Sequence, residues 1–278
     1  PVVKSVVLDG KTLTEGTDYT VSYKNNTNAG TATVTFTGKG NYTGTASRTF
    51  TITRASQAIT AKAAASTVSV GKTTTVSITG AKGTKSYKSS NTGIATVNST
   101  TGKATAKKVG TVTITATSAS TSNYKAASKT VTIKVVPAAT SSITAVNQAT
   151  GIKLTWKKVT GATGYKVYRG STLVKKITSG STLTYTDTKA NTNGTRYTFK
   201  IVAFAATGDS TLSRSLTSYR VARPTVSSAA NSASKKMTVK WGKNAKATGY
   251  QIQYSTSKTF SSGNKTATVA KAATVSKV

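Results

Sequence analysis

The sequence lacks cysteine and histidine altogether, and its 278 residues include only five carboxylates. The absence of cysteine excludes disulfide bonds and thiolate chemistry. General acid–base catalysis usually needs a histidine or a perturbed carboxylate, and zinc or calcium sites need histidine, cysteine or several carboxylates. We therefore expect no enzymatic activity, no cofactor and no bound metal. The five carboxylates are Asp9, Glu15, Asp18, Asp187 and Asp209.

The chain also lacks a long apolar run. No stretch approaches the roughly 18 consecutive apolar residues that mark a membrane-spanning helix. The first residues do not show the basic and then apolar pattern of a signal peptide. We therefore expect no membrane span within these residues, and we expect any export signal or anchor to lie outside them.

Positive charge is what the chain has in excess. Lysine and arginine together number 39, which gives a formal net charge of +34. A field of this kind attracts polyanions in a salt-dependent way. Most of the basic residues are lysines, which act as point charges, whereas arginine supplies the bidentate fork of specific phosphate sites. The composition therefore favours solubility and diffuse attraction to acidic polymers over a specific anion site.

Apolar residues alternate with polar ones, which predicts β-strands with one buried face. Ile152, Leu154 and Trp156 follow this period of two, because successive side chains of a strand point to opposite faces. The pattern around Trp156 and Tyr165 returns 85 residues later, around Trp241 and Tyr250. We predict an all-β chain, a linear array of β-sandwich modules. The aromatic residues that alternation assigns to the cores are Trp156, Tyr165, Tyr197, Trp241 and Tyr250.

Tyr168 is the exception among the aromatic residues of this region. It has the opposite parity to Tyr165 and Val167, so we predict that it is exposed and is the aromatic candidate for contact with a ligand. The other aromatics fall mostly on buried positions, whereas single-stranded nucleic acids require exposed stacking platforms in a basic groove. Nucleic acid is therefore not an expected partner.

Two stretches of the first half resemble modules of bacterial surface proteins. LDGKTLTEGTDYTVSYKNNTNAGTATVTFTGKGNYTGTASRTFTI, residues 8–52, resembles a small glycine-rich β-repeat of Gram-positive gut bacteria, and its Asp9-Gly10 pair predicts a two-residue hairpin turn. YKSSNTGIATVNSTTGKATAKKVGTVTITA, from Tyr87, resembles group 2 bacterial immunoglobulin-like domains. These resemblances imply a small all-β domain over residues 1–54, clipped at its N-terminal side, and a sandwich over residues 55–137 with Tyr87 in its core.

The second half resembles fibronectin type III domains. Over residues 138–223, Trp156 matches the core tryptophan of the second strand, and Tyr197, in GTRYTFKIVA, matches the tyrosine-corner residue. Residues 224–278 resemble a partial second copy, which stops before the counterpart of the strand that begins near Tyr197. Two explanations remain open. The chain is a segment of a longer protein, or neighbouring subunits donate strands and associate head to tail.

Together the resemblances imply a non-enzymatic, extracellular stalk and adhesive spacer of a clostridial-type Gram-positive bacterium. It would lie on the cell surface or in the cell wall, and its charge would attract acidic glycans or teichoic acid. Two alternatives remain open. One is a phage virion decoration or tail component that touches the host surface. The other is an accessory region of a secreted glycoside-active enzyme.

Overall fold

The computed structural model describes residues 3–233, 236–244, 246–270 and 275–277, and it divides the chain into two compact units, residues 1–135 and 136–278. The described residues contain β-strands, turns and loops but no helix, so none can cross a membrane as a helix. The predicted all-β fold is confirmed. The strands group into four modules, two in each unit, whereas the domain boundaries given above stay predictions.

The first module is a hairpin followed by a three-stranded antiparallel sheet in the order β3-β4-β5. Asp9 and Gly10 join the hairpin strands with φ values of 49° and 81°, as a type I′ turn requires, so the predicted hairpin is confirmed. One face of the sheet buries Tyr19, Ala32 and Val34. The strands are β1 (Val6–Leu8), β2 (Lys11–Leu13), β3 (Tyr19–Lys24), β4 (Gly30–Gly38) and β5 (Thr45–Ile52).

The second module is a sandwich of two four-stranded sheets, in the orders β10-β11-β8-β6 and β7-β13-β12-β9. Both sheets contribute to one core, in which Val76 from the first packs with Ile114 and Tyr87 from the second. The strands are β6 (Thr60–Ala63), β7 (Thr67–Ser69), β8 (Thr73–Thr79), β9 (Lys85–Ser89), β10 (Ala95–Val97), β11 (Lys103–Ala106), β12 (Gly110–Ser118) and β13 (Ala127–Val136).

The third module packs the sheet β14-β15-β18 against the sheet β17-β16-β19, in which β20 and β21 both pair with β19. Leu154 and Trp156 from the first sheet share a core with Tyr165 and Phe199 from the second, which makes a two-sheet β-sandwich. The strands are β14 (Ile143–Gln148), β15 (Gly151–Trp156), β16 (Gly164–Arg169), β17 (Thr172–Ile177), β18 (Thr184–Asp187), β19 (Arg196–Ala205), β20 (Gly208–Asp209) and β21 (Leu216–Tyr219).

The fourth module contains the sheets β22-β23-β26 and β24-β25, and its core contains Val239, Trp241, Ala247 and Tyr250. The strands are β22 (Val226–Ala233), β23 (Lys236–Trp241), β24 (Gly249–Tyr254), β25 (Lys265–Ala270) and β26 (Val275–Lys277).

The sequence repeat between the third and fourth modules extends to the packing of its aromatic pair. The ring centroids of Trp156 and Tyr165 lie 5.4 Å apart, and those of Trp241 and Tyr250 lie 5.3 Å apart. The Tyr165 hydroxyl accepts a hydrogen bond from the backbone N–H of Val159 at 3.0 Å. The Tyr250 hydroxyl accepts the corresponding bond from the residue at the same offset, Asn244, at 2.7 Å. Each pair therefore closes the core and ties down the loop that follows its tryptophan.

A buried ion pair links the two sheets of the third module. Asp187, at the end of β18, is 1% exposed, and its Oδ2 lies 2.7 Å from Nη1 of Arg169, at the end of β16. The other carboxylate oxygen accepts a hydrogen bond from the backbone N–H of Lys189. Burial, with a further contribution from the Asp187 carboxylate, raises the pKa of nearby Tyr185. Because the Asp187 carboxylate is buried, removing Arg169 would leave an uncompensated charge inside the module.

We expect Arg169→Met to lower the free energy of unfolding of the third module by about 3 kcal/mol, because the Asp187 carboxylate would stay buried without its partner. The measurement is urea unfolding followed by the fluorescence of Trp156, in a Trp241→Phe background that removes the second tryptophan. Lys166→Met is the control. It breaks the ion pair between Lys166 and the exposed carboxylate of Asp209 and should cost at most about 1 kcal/mol. Equal losses in the two variants would contradict the structural role of the buried pair.

Candidate functional site

The outer face of the larger sheet of the third module carries the candidate site. In β16, Tyr165 and Val167 are fully buried in the core, whereas Lys166 and Tyr168 are half-buried on the opposite face. The antiparallel register of β16 and β19 places Tyr168 beside Lys200. Tyr168 is therefore neither fully exposed nor part of the core, and it has a lysine as its cross-strand neighbour.

A concavity of about 530 Å³ opens on this face, and we call it the Tyr168 concavity. Its size lies within the range of small-molecule sites. Aromatic and aliphatic side chains form part of its lining, together with one lysine and one carboxylate. The lining residues are Tyr168, Gly170, Ser171, Lys200, Val202, Asp209, Ser210 and Leu212.

An interruption of the edge strand next to β19 shapes one side of the concavity. Between β20 and β21 the chain leaves the regular ladder, and two serine hydroxyls replace backbone carbonyls as acceptors. Ser210 Oγ accepts from the N–H of Ala203 at 3.0 Å, and Ser213 Oγ accepts from the N–H of Ile201 at 2.8 Å. Both serines are buried, whereas Leu212 between them is 51% exposed. The interruption therefore leaves no backbone N–H of β19 unpaired at these two positions and sets Leu212 at the rim.

Some charged side chains on this face form ion pairs, and others do not. Lys166 forms an ion pair with Asp209, and its Nζ lies 5.8 Å from the ring centroid of Phe204. Lys176 lies over the same ring, at 5.3 Å. Among the described residues, the Lys200 ammonium has no ion-pair partner, and neither it nor the Tyr168 hydroxyl forms a hydrogen bond. The concavity therefore presents one uncompensated cation and one free hydroxyl.

The other aromatic residues singled out in the sequence are occupied in packing. Five of them are at most 8% exposed: Tyr87, Trp156, Tyr165, Trp241 and Tyr250. Tyr197 is half-buried against the core, and its hydroxyl accepts a hydrogen bond from the backbone N–H of Thr192 at 3.3 Å. Hydrogen bonding with Thr192, chiefly with its side chain, lowers the pKa of Tyr197. All six rings pack within or against a core, whereas Tyr168 lies on the outer face of its sheet and lines the concavity.

The residues around Tyr168 were not singled out in the sequence. Lys200, Leu212 and Ser213 belong to the concavity or its support, but lysine and serine are too frequent in this chain for any one position to stand out. The segment GDSTLSRS, residues 208–215, does break the alternation of apolar and polar residues, and that break is the signal of the interrupted edge strand. Within the described part of the chain, no group of three or more side chains could hold a metal ion.

Comparison with known proteins gives a family match for part of the second module. Residues 69–120 match the family described as intimin, immunoglobulin-like domain. Among curated proteins, none matches this chain. Solved structures similar to it include the FN1–FN3 domains of chicken CNTN1, at 15% identity and a TM-score of 0.35, covering 79% of this chain and 86% of that one. Domains A168–A170 of titin are 16% identical, with a TM-score of 0.28, covering 77% and 87% of the two chains. The chain is thus a modular all-β protein in which residues 69–120 are similar to an immunoglobulin-like domain.

We expect Ser213→Ala to expose the amide of Ile201 to exchange, because the buried N–H would lose its acceptor. An unpaired buried donor costs about 1–3 kcal/mol. The measurement is amide hydrogen exchange, which should accelerate at Ile201. The control is Ser215→Ala, at an exposed position of the same segment, which should leave that amide unchanged. Unaltered exchange at Ile201 in the Ser213 variant would show that the hydroxyl does not support β19.

Proposed function

We propose that this chain is a non-enzymatic, extracellular spacer with adhesive character, part of a modular surface or secreted protein of a Gram-positive bacterium. The observation that carries the proposal is the way in which modules are tied to one another within each unit. Stiff joints are what a spacer needs, because a flexible linker would let a distal site collapse back towards the surface.

The tie in the first unit centres on Asn123, in the loop between β12 and β13 of the second module. Its Oδ1 accepts from the backbone N–H of Ala29, in the first module, at 2.8 Å, and its Nδ2 donates to Asn28 Oδ1 at 2.7 Å. The backbone N–H of Ala55, between the two modules, donates to the Asn123 carbonyl, and the Ala55 carbonyl accepts from the N–H of Lys125, each at 2.8 Å. The first module and the linker are thus both bonded to one loop.

Gln57, just beyond that linker, fixes the same end of the second module. It is 9% exposed, and both of its amide hydrogens are used, by the carbonyls of Ala119 and Lys125. Its Oε1 accepts from the Ser118 hydroxyl and from the backbone N–H of Lys82. A buried amide with all its hydrogen bonds made holds its neighbours in one arrangement. The loop that bears Asn123 is therefore attached to a rigid end of the sandwich.

The tie in the second unit centres on Arg220, at the end of the third module. This residue is 8% exposed, and its guanidinium donates to Asn147 Oδ1 at 3.2 Å and to the carbonyl of Ala149 at 3.0 Å. Asn147 Oδ1 also accepts from the backbone N–H of Val221, whose side chain packs against the core of the fourth module. Lys246 of the fourth module lies 5.0 Å from the ring centroid of Tyr219. The hydrogen bonds therefore fix the end of the third module at the linker, and the contact with the fourth module consists of the packing of Val221 and a cation–π contact.

The charge of the chain supports an acidic partner. The net charge of +34 attracts polyanions over a surface much larger than one site. Teichoic acid of the cell wall and acidic glycans have the matching chemistry. Weak contacts made by several linked modules add through their effective concentration. The resemblance of residues 8–52 to repeats of clostridial-type surface proteins, and of residues 55–137 to group 2 immunoglobulin-like domains, supports a location at the cell surface or wall.

The test is co-sedimentation of the chain with Gram-positive cell walls, with and without teichoic acid, over a salt series. We expect binding that requires teichoic acid and weakens steeply between about 0.05 and 0.5 M salt, because exposed charges are screened over about 10 Å at 0.1 M. A variant with Lys62, Lys88, Lys103 and Lys134 changed to glutamine should bind more weakly. Binding that depends neither on teichoic acid nor on the salt concentration would contradict the proposal.

A further inference from the structure

We infer that the Tyr168 concavity is a binding site for an anionic sugar, a pyranose ring that carries a carboxylate or sulfate within an acidic polysaccharide. The inference deepens the proposed function and rests on it for the polyanionic class of the ligand. It differs in predicting a specific site, on one face of one module, in addition to diffuse attraction by the whole chain.

The ring-binding part of the site is Tyr168 with its aliphatic neighbours. Tyr168, Val202 and Leu212 all line the concavity, so one aromatic and two aliphatic side chains contribute to the same surface. A pyranose has faces of C–H groups that pack on aromatic rings and edges of hydroxyls that need hydrogen-bond partners. Ser171, which also lines the concavity, supplies a polar group beside the apolar surface, the combination that fixes the orientation of a small ligand.

The charge-binding part of the site is Lys200. It is the cross-strand neighbour of Tyr168, and directly opposed residues have Cβ atoms about 4.5–5.5 Å apart. A single sugar residue can therefore contact both side chains. Asp209, also in the lining, is compensated by Lys166, so it does not cancel the charge of Lys200. An anionic group on the sugar would supply the partner that Lys200 lacks among the described residues.

The internal repeat shows that the fold does not require an aromatic residue at this position. Trp156 and Tyr165 recur in the fourth module as Trp241 and Tyr250, with the same packing. The counterpart of Tyr168, at the same offset of 85 residues, is Gln253. The two modules thus share the core pair and differ at the outward position. Tyr168 is therefore available for a role that the core does not need.

The interrupted edge strand is a second and independent indication of a built site. Interruptions of a β-ladder are frequent beside binding sites, where they redirect side chains. Here the buried hydroxyls of Ser210 and Ser213 keep β19 paired while the chain departs from the ladder. The departure places Leu212, which is 51% exposed, in the lining of the concavity together with Tyr168.

The experiment measures the affinity of the full chain for three probes by isothermal titration calorimetry at about 0.15 M salt, where the screening length is about 8 Å. The probes are a hexasaccharide of galacturonic acid, a neutral hexasaccharide of galactose and an oligomer of glycerol phosphate. We expect the galacturonate oligomer to bind most tightly, because it alone combines pyranose rings with negative charge. If the neutral or the glycerol phosphate oligomer binds equally well, the inference is wrong.

Four variants locate the site. Tyr168→Leu and Lys200→Gln should each weaken galacturonate binding about tenfold, the scale of a lost stacking contact or charge-assisted hydrogen bond. Tyr168→Phe keeps the ring and should stay within about twofold of the parent chain, because stacking needs only the aromatic face. Lys153→Gln removes the same charge from the other sheet and should also stay within that range, because its charge lies outside the concavity. Equal losses in Lys153→Gln and Lys200→Gln would overturn the specific site.

Wall sedimentation separates this inference from the function on which it rests. If the site is wrong but the spacer is right, Tyr168→Leu will leave galacturonate binding unchanged while the chain still sediments with teichoic acid. If the polyanion-binding function is wrong, no variant will sediment, and the parent chain will not bind galacturonate above the neutral oligomer. Either result overturns the inference, and the sedimentation assay shows which premise failed.

Discussion

Backbone groups at the ends of strands must find partners, and in this chain polar side chains supply them. A buried N–H or C=O without a partner is costly, and short strands leave many of them. Gln57 pairs with two carbonyls and one N–H at one end of the second module. The Ser213 hydroxyl accepts a hydrogen bond from β19 where no neighbouring strand does so, and the Tyr165 hydroxyl accepts one from the loop that follows Trp156. The same device ties the first module to the second through Asn123, and through Arg220 it fixes the end of the third module at its linker.

The sequence predicts the parts of this fold that depend on residues close together in the chain. The two-residue period of Ile152, Leu154 and Trp156 is a property of a single strand, so alternation predicts which face is buried. The hairpin at Asp9 and Gly10 depends on two adjacent residues that adopt positive φ. The joints and the concavity depend instead on pairs far apart in the chain, such as Ala29 and Asn123, which are 94 residues apart. The spacing of apolar residues does not indicate which distant residues form such a pair, and the sequence around a single asparagine does not identify its partner.

The structure separates the aromatic residues into two groups with different roles. The rings of Trp156 and Tyr165 close a core and are inaccessible, which is why the repeated pair is a feature of the fold and not of a ligand site. Tyr168 follows Tyr165 by three residues and lies on the other face of the same strand, beside Lys200, which has no ion-pair partner among the described residues. The proposed recognition and the observed core packing thus fall on opposite faces of one strand. The lysines spread over the chain would supply the diffuse attraction to polyanions that we propose.

The most direct test of the account is whether the joint at Asn123 holds the first two modules in one arrangement. The chain has no cysteine, so spin labels can be attached at Thr45→Cys in the first module and Lys103→Cys in the second. Double electron–electron resonance then gives the distribution of distances between them. We expect a single narrow distribution that broadens in an added Asn123→Ala change. A broad distribution in the labelled chain without that change would contradict a stiff spacer.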